Sequence, residues 1–342
     1  MTGRREGQPE VPVAVIIVSY QCAPYLKQAV ASVIDQLSPA DQLIVWDNHS
    51  NEPATNAALD EIQASWPAVI VERSPVNLGF AQGNNDAAAL AAATHDLLLL
   101  NPDAQLGRGA LKAMRQALQQ TPEAGAIGAI QFDANASLID GIGDVLHISG
   151  LAWRAGHGRP AQALDELIGP PQHRPDVNPV FCPCAAAALY RRVAFDTAGG
   201  FDNAYFCYGE DVDLGFRLRL AGWQCLRANH AQVLHTGSVS TGVDSDFAVY
   251  HGHRNLVWTF FKNMPVALMP VALPAHLLMT LLVTGWFASR GRLRVILRAK
   301  RDALLGLPRV LADRRRMRCR TQQSGVPGAV PSTRQIWQWL NK

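Results

Sequence analysis

Short β-branched or leucine-rich runs alternate along this chain with longer stretches of helical spacing. Residues 11–19 (VPVAVIIVS) are almost continuously apolar, the pattern of a central parallel strand covered on both faces. Residues 25–37 carry apolar positions at helical spacing, and 42–46 (QLIVW) predict a second buried strand ending in Asp47-Asn48-His49-Ser50. A short third strand is expected at 69–72, an alanine-rich helix at 84–94, and a fourth strand at 96–100 (DLLLL), ending in Asn101-Pro102-Asp103. Residues 131–180, rich in Gly, Pro and His, read as mostly loop around short strands, and helical spacing returns at 211–221.

Strand and helix alternating at this spacing predict an α/β domain with a doubly wound, mostly parallel sheet and right-handed crossovers. Ligands bind such sheets outside the carboxyl ends of the strands. Ser19-Tyr20, Asp47-Asn48 and Asn101-Pro102-Asp103 all fall there. The turn after the first strand, SYQCAPY, lacks the glycines of a dinucleotide-binding loop, which excludes a Rossmann dehydrogenase.

Composition adds one thing to this picture, an uneven charge. The chain carries 31 Lys/Arg and 28 Asp/Glu, but 14 of the basic residues and only 2 of the acidic ones lie in 290–342. An acidic body with a basic tail is a poor grip for nucleic acid and suits a domain held at an anionic surface. The N-terminal MTGRREGQPE has no apolar core, so a signal peptide is not expected. The six cysteines are scattered, and Cys182-x-Cys184 is too tight for a zinc knuckle, so reduced thiols in the cytoplasm are expected.

Three places can carry chemistry. Asp103, just past a buried strand on a turn stiffened by Pro102, can hold a hard divalent cation, Mg²⁺ or Mn²⁺, which takes oxygen ligands and substrate phosphates. The same turn could simply cap the next element. Gly209-Glu210-Asp211-Val212-Asp213 places three carboxylates at a helix start, where the dipole stabilises them; one could be a general base, or all could be an ordinary acidic first turn. His235 ends the apolar run AQVLH and reads as a metal or phosphate ligand, or as a satisfied structural histidine. Asp47 and Asn48 could accept hydrogen bonds from a uracil or thymine and a ribose, or serve as turn residues.

Taken together, VIIVSYQ, VWDNHS, NLGFAQGNN, LLLLNPDA, GGFDNAYFCYGEDVDLGFRLRLAGW, VLHTGS and HRNLVWTFFKNMP occur in an order that resembles the family 2 glycosyltransferases, especially their rhamnosyltransferase-like branch. The resemblance is collinear over residues 13–265 and implies a GT-A nucleotide-binding fold and an inverting, metal-dependent transfer from a nucleotide-sugar. It implies that NPD stands for the DXD motif, with Asn101 in the first acidic place, Asp103 as metal ligand and His235 completing the shell. Asp211 would be the base, with Glu210 as runner-up. Ser19, Tyr20, Asp47 and Asn48 would face the nucleotide, and a 77–85 loop with Asn77, Gly79 and Asn84 would line the nucleotide-sugar. Two departures, FCPCAAAALYRR before the Arg pair and His49 in the VWDNHS turn, bear on donor or acceptor fit and remove no proposed catalytic group.

The tail fits that reading. Residues 263–289 contain no Asp, Glu, Lys or Arg and are long enough to cross a bilayer, but Pro265, Pro270 and Pro274 are expected to break the first half. Interfacial or re-entrant helices are therefore expected, with the basic residues of 290–320 meeting anionic lipid on the cytoplasmic side; the alternatives are a buried hairpin packed on the catalytic domain and a single spanning helix. The expected organisation is a disordered 1–10, a catalytic domain at 11–255, membrane-associating helices at 256–320 and a terminal tail at 321–342. The implied reaction moves a sugar, plausibly L-rhamnose from dTDP-rhamnose, to a lipid-linked or membrane glycan acceptor. The rivals are a nucleotidyltransferase, which would need a basic Gly-rich first loop that SYQCAPY does not supply, and a nucleotide-sugar-binding relative without turnover.

Overall fold

The computed structural model describes residues 10–237, 245–323 and 330–340, with side chains of 318–323 excepted. The expected N-terminal disorder thus falls, except for Glu10, outside the described residues. Strands are β1 (Val13–Ser19), β2 (Gln42–Asp47), β3 (Ile70–Arg73), β4 (Asp96–Leu100), β5 (Ala104–Leu106), β6 (Ala124–Phe132), β7 (Ile139–Gly141), β8 (Asp144–Leu146), β9 (Ala152–Arg154), β10 (Val177–Pro179), β11 (Ala187–Tyr190) and β12 (Gln224–His235). Helices are α1 (Ala23–Ile34), α2 (Pro53–Ser65), α3 (Gly79–Leu90), α4 (Ala110–Gln120), α5 (Leu164–Ile168), α6 (Arg192–Ala198), α7 (Glu210–Leu220), α8 (Asp246–Asn263), α9 (Met269–Ser289), α10 (Leu293–Leu305), α11 (Leu307–Gln323) and α12 (Thr333–Trp339).

One large sheet runs in the order β10-β12-β6-β11-β4-β1-β2-β3. β1, β2, β3 and β4 are parallel, β12 is parallel to β6, and β11 is wedged antiparallel between β4 and β6. All seven residues of β1 are buried, because α1, α2 and α4 cover one face of the sheet and α3, α6 and α7 the other. This is the mostly parallel, doubly wound sheet that the hydrophobic runs predict.

Two strands escape a reading by hydrophobic runs. β6 is AGAIGAIQF, and its glycines are demanded by neighbours: a Cβ on Gly128 would lie 2.8 Å from Pro183 Cβ, and one on Gly125 2.8 Å from Trp223 Cβ. β11, AALY, is only four residues long and half alanine, though fully buried. The helix expected at 84–94 begins earlier, at Gly79, so most of the expected 77–85 loop is helical.

The prolines do not break the apolar tail helix. Pro270 sits in the first turn of α9, where its missing N–H has no partner to lose, and Pro274 is accommodated inside a helix that runs on to Ser289. The expected boundary at 255 falls within α8. Helices α8, α10 and α11 pack on one another through Trp258, Ala303 and Val310. The described part of the terminal tail also docks: Ile336 and Leu340 join the core formed by α8, α9 and the β8–β9 hairpin, and Ile148 N–H donates to the Leu340 carbonyl at 3.0 Å.

Candidate active site

A cleft of about 870 Å³ opens at the carboxyl ends of β1, β2 and β4 and is walled also by β9, the start of α7 and α8. Asn101, Pro102 and Asp103 leave β4 and enter β5, whose antiparallel register with β12 pairs Ala104 with His235. That register is what brings Asp103 and His235 together across 132 residues of chain. Asp103 Oδ1 lies 3.3 Å from His235 Nε2, and Thr236 N–H donates to the Asp103 carbonyl at 3.1 Å. Asn101 Nδ2 lies 3.2 Å from the same Nε2, and its Oδ1 is buried with no hydrogen-bond partner among the described residues.

His235 is gripped from behind as well: its Nδ1 is 2.9 Å from Asp140 Oδ2 on β7. Burial works against a charged ring, but hydrogen bonds to Asp103 and Asp140 outweigh it and lift the pKa to about 9. Asp140 is held below the usual carboxylate range, against burial, by the His235 hydrogen bond and the charge of Arg154. An oxygen from Asp103, an imidazole nitrogen and the orphaned Asn101 oxygen form a donor set suited to a divalent cation that also carries phosphate oxygens.

Of the acidic trio, Glu210 and Asp211 line the same cleft. Gly209 caps α7 in a left-handed conformation after a strained approach: Phe206 has φ +64° and ψ −63°, the centre of a γ-turn closed by Cys207 N–H to the Tyr205 carbonyl at 2.8 Å. Asn255 of α8 clamps this turn, its Nδ2 donating to the carbonyls of Tyr205, Cys207 and Tyr208 at 3.0, 2.9 and 2.7 Å. The HRN motif is thereby explained as a brace for the loop that delivers Asp211.

Asp211 is half-buried and open to the cleft, with Oδ2 accepting from Ala185 N–H at 3.2 Å and Oδ1 from Val212 N–H at 2.8 Å. Burial raises its pKa despite those bonds. Glu210 is more deeply buried, its Oε2 has no partner among the described residues, and burial with the Asp211 charge raises it well above the usual range. Asp213 turns away entirely and pairs with Arg217 and Lys262.

The remaining expected residues divide. Tyr20, Asn77 and Gly79 line the cleft. A Cβ on Gly79 would meet the Phe206 ring and carbonyl at 2.6 Å, so this close approach, at φ +78°, requires glycine. Contrary to the expectation that it faces the nucleotide, Asp47 is buried at the end of β2 and does not line the cleft, with Oδ2 taken by Ser50 N–H at 3.0 Å and Oδ1 buried without a partner among the described residues. Asn48 also lines the cleft, but its amide is engaged by Asn77, Leu78 and Gly79, so it shapes the loop.

Two further expectations are corrected. Ser19 is fully buried against Cys22 Sγ at 3.2 Å and does not line the cleft, because the last residue of β1 faces the core. Asn84 is buried on α3, back-bonding to the Phe80 carbonyl at 2.9 Å, because the segment is helical and not a loop.

Sequence reasoning missed Asp140, Asp144, Trp153 and Arg154. They lie in the Gly-rich stretch that reads as loop, and no motif marks them. Asp144 lines the cleft fully shielded; burial and the Asp211 charge raise it well above the usual range. Trp153 stands 45% exposed at the cleft edge.

A mostly parallel sheet with an aspartate and a histidine at its carboxyl edge, and further carboxylates from the start of α7 in the same cleft, is the GT-A glycosyltransferase architecture. The family described as glycosyl transferase family 2 matches residues 14–198, and this chain belongs to that family and is a glycosyltransferase. An N-acetylglucosaminyl-diphospho-decaprenol L-rhamnosyltransferase of Mycobacterium tuberculosis is 30% identical over 257 residues, 69% of this chain and 80% of that one. GalNAc-T7, solved with UDP, GalNAc and Mn²⁺, shares the fold at a TM-score of 0.61 and 16% identity, over 75% of this chain and 48% of that chain. The mannosyltransferase PcManGT of Pyrobaculum calidifontis, in complex with GDP-Man and Mn²⁺, matches at a TM-score of 0.50 and 14% identity, over 95% and 87% of the two chains.

Proposed function

We propose that the chain transfers a deoxyhexose, L-rhamnose from dTDP-rhamnose, with inversion, to a lipid-linked sugar diphosphate at the cytoplasmic face of a membrane. The observation that carries this reading is the gathering of the Asp103–His235 pair and Asp211 in the lining of one cleft. The mycobacterial relative, by its name, transfers L-rhamnose to a diphosphate-linked lipid, which supports the donor and acceptor classes.

On this reading Tyr20 and the Asn48-braced 77–79 turn shape the pocket for the nucleotide. Asp103 and His235, with Asn101 beside them, would hold Mg²⁺ or Mn²⁺, which neutralises charge gathering on the leaving diphosphate. Asp211 takes the proton of the acceptor hydroxyl as that oxygen attacks the sugar's anomeric carbon from the face opposite the diphosphate. A carboxylate whose pKa is raised by burial is a better proton acceptor than an ordinary aspartate. Trp153 offers an aromatic face to the acceptor sugar on the same wall.

The test is release of nucleoside diphosphate from a panel of nucleotide-sugars, with membrane extract as acceptor source. Release from dTDP-rhamnose that needs Mg²⁺ or Mn²⁺ and is lost in EDTA is expected. Failure of every nucleotide to bind, with metal present, would refute the reading.

Membrane contact rests on α9. One stripe of it packs on the catalytic domain: His276 stacks on Phe260 at 4.1 Å and its Nδ1 lies 2.7 Å from the Ser149 carbonyl. The other stripe exposes Val271, Leu277, Leu278, Leu281, Leu282 and Trp286. A helix bonded to the domain along one side lies on a bilayer more readily than it crosses one, and exposed Arg290, Arg294, Arg298 and Arg301 stand beside it for anionic headgroups. Replacing Leu281 and Leu282 together by glutamate is expected to release the protein from anionic phospholipid vesicles in a flotation assay. Undiminished flotation of that variant would remove α9 from the membrane contact.

A further inference from the structure

We propose that Asp140 is a positioning residue for the diphosphate end of the site: it holds His235 in the ring orientation and tautomer that present Nε2 beside Asp103, and Arg154 in turn holds Asp140. This rests on the reading of Asp103 and His235 as the metal pair. It concerns a carboxylate that no motif in the chain marks.

The geometry is a relay read from one side of the cleft to the other. His235 lies between two carboxylates, with Nε2 3.3 Å from Asp103 Oδ1 and Nδ1 2.9 Å from Asp140 Oδ2. Arg154 NH1 donates to Asp140 Oδ1 at 2.6 Å and also reaches Oδ2. His157 Nδ1 lies 2.9 Å from the Asp140 backbone carbonyl and 3.5 Å from Oδ1. Asp140 itself is buried on β7, a three-residue strand hydrogen-bonded to β6, so its carboxylate has little freedom.

An imidazole that binds a cation through Nε2 must keep its proton on Nδ1. A carboxylate accepting from Nδ1–H selects that tautomer, fixes the ring plane and strengthens Nε2 as an electron-pair donor. Asp140 is the only group recorded within hydrogen-bond distance of Nδ1 among the described residues. Without it, a neutral His235 is free to carry its proton on Nε2, facing Asp103, where a cation would have to sit. A purely structural ion pair would need only Arg154 opposite Asp140. Here the same Oδ2 is shared with the histidine. Arg154 also adjoins Trp153 on β9, so the acceptor wall and the diphosphate end hang on one carboxylate.

The test is titration of the full-length chain with Mn²⁺ in the presence of dTDP, read by electron paramagnetic resonance, with no acceptor and no turnover. Asp140→Asn keeps the shape but removes the charge and is expected to weaken Mn²⁺ binding about 10- to 100-fold. Thymidine binding without metal is expected to stay unchanged in the same variant. Asp140→Glu is expected to recover part of the affinity. Wild-type Mn²⁺ affinity in Asp140→Asn, alongside lost affinity in His235→Ala, would overturn the positioning role and leave the metal pair standing. Wild-type affinity in His235→Ala would instead sink the metal pair and the positioning role with it. Should Asp140→Asn not fold, Arg154→Gln leaves the carboxylate in place but unanchored; weakened Mn²⁺ binding there supports the relay, and wild-type binding overturns it.

Discussion

Asp211→Asn is expected to lower turnover by about 10²- to 10⁴-fold, the usual worth of a positioned general base. Metal-dependent binding of the nucleoside diphosphate is expected to be unchanged, because the Asp211 carboxylate bonds to Ala185 and Val212 N–H and not to Asp103 or His235. The amide can still accept from Ala185 N–H or Val212 N–H, so the loop stays in place while the proton acceptor is lost. In the wild type the rate should fall on the acid side at a pH above that of an ordinary aspartate, since burial raises the Asp211 pKa. Glu210→Gln serves as the comparison. Glu210 is more deeply buried and borders Asp211, so its loss should perturb the pH profile more than the limiting rate. A larger fall in kcat for Glu210→Gln than for Asp211→Asn would exchange the two roles.

The second large effect is on stability. Asp213→Ala is expected to destabilise the fold by about 3–5 kcal/mol, the usual consequence of removing one partner from a buried ion pair. Asp213 is fully buried and receives Arg217 Nε at 2.8 Å, Lys262 Nζ at 3.0 Å and Asn263 Nδ2 at 2.8 Å. Removing its carboxylate leaves the buried Arg217 without a carboxylate and the buried Lys262 with Asp202 alone. Although burial opposes ionisation, Arg217 and then Lys262 hold the Asp213 pKa below its ordinary 3.8. Its contribution is therefore fully present above that value and is lost as pH falls through the depressed folded pKa. Chemical denaturation at neutral pH measures the loss; a change below about 1 kcal/mol, the range of an exposed pair, would show the cluster to be relaxed or hydrated.

This cluster also explains why the helices after 255 are not a detachable tail. Lys262 bridges Asp213 of α7 to Asp202 at 2.9 Å, and Arg309 of α11 reaches the same Asp202. Arg314 donates to the carbonyls of Phe261 and Met264 at 2.8 and 2.6 Å. Basic residues that read as lipid contacts in a one-dimensional charge count are thus divided. Arg309 and Arg314 hold the protein together, and Arg290, Arg294, Arg298 and Arg301 face outward.

The parallel strands β1, β2 and β4, the two charged turns at their ends and the acidic start of α7 were all legible from the sequence. Each depends on neighbours in the chain: a buried central strand needs an unbroken apolar run, and a helix start tolerates acidic residues wherever it lies. β6 and β11 were not legible, because their alanines and glycines are chosen by the segments pressing on them, as Pro183 presses on Gly128. Ser19 sits between two cleft residues, Val18 and Tyr20, and only side-chain direction separates it from them; Asn84 lies one helical turn past the cleft residue Phe80 and is buried. The histidine was legible as a candidate, but its partners were not. Asp103 meets His235 through a strand register, and Asp140 and Arg154 reach it from a segment with no pattern of its own. Local sequence determined the strands, the turns and the residue types that could do chemistry. Tertiary structure alone decided which of them face one another, because strand register and side-chain direction are set by packing between segments far apart in the chain.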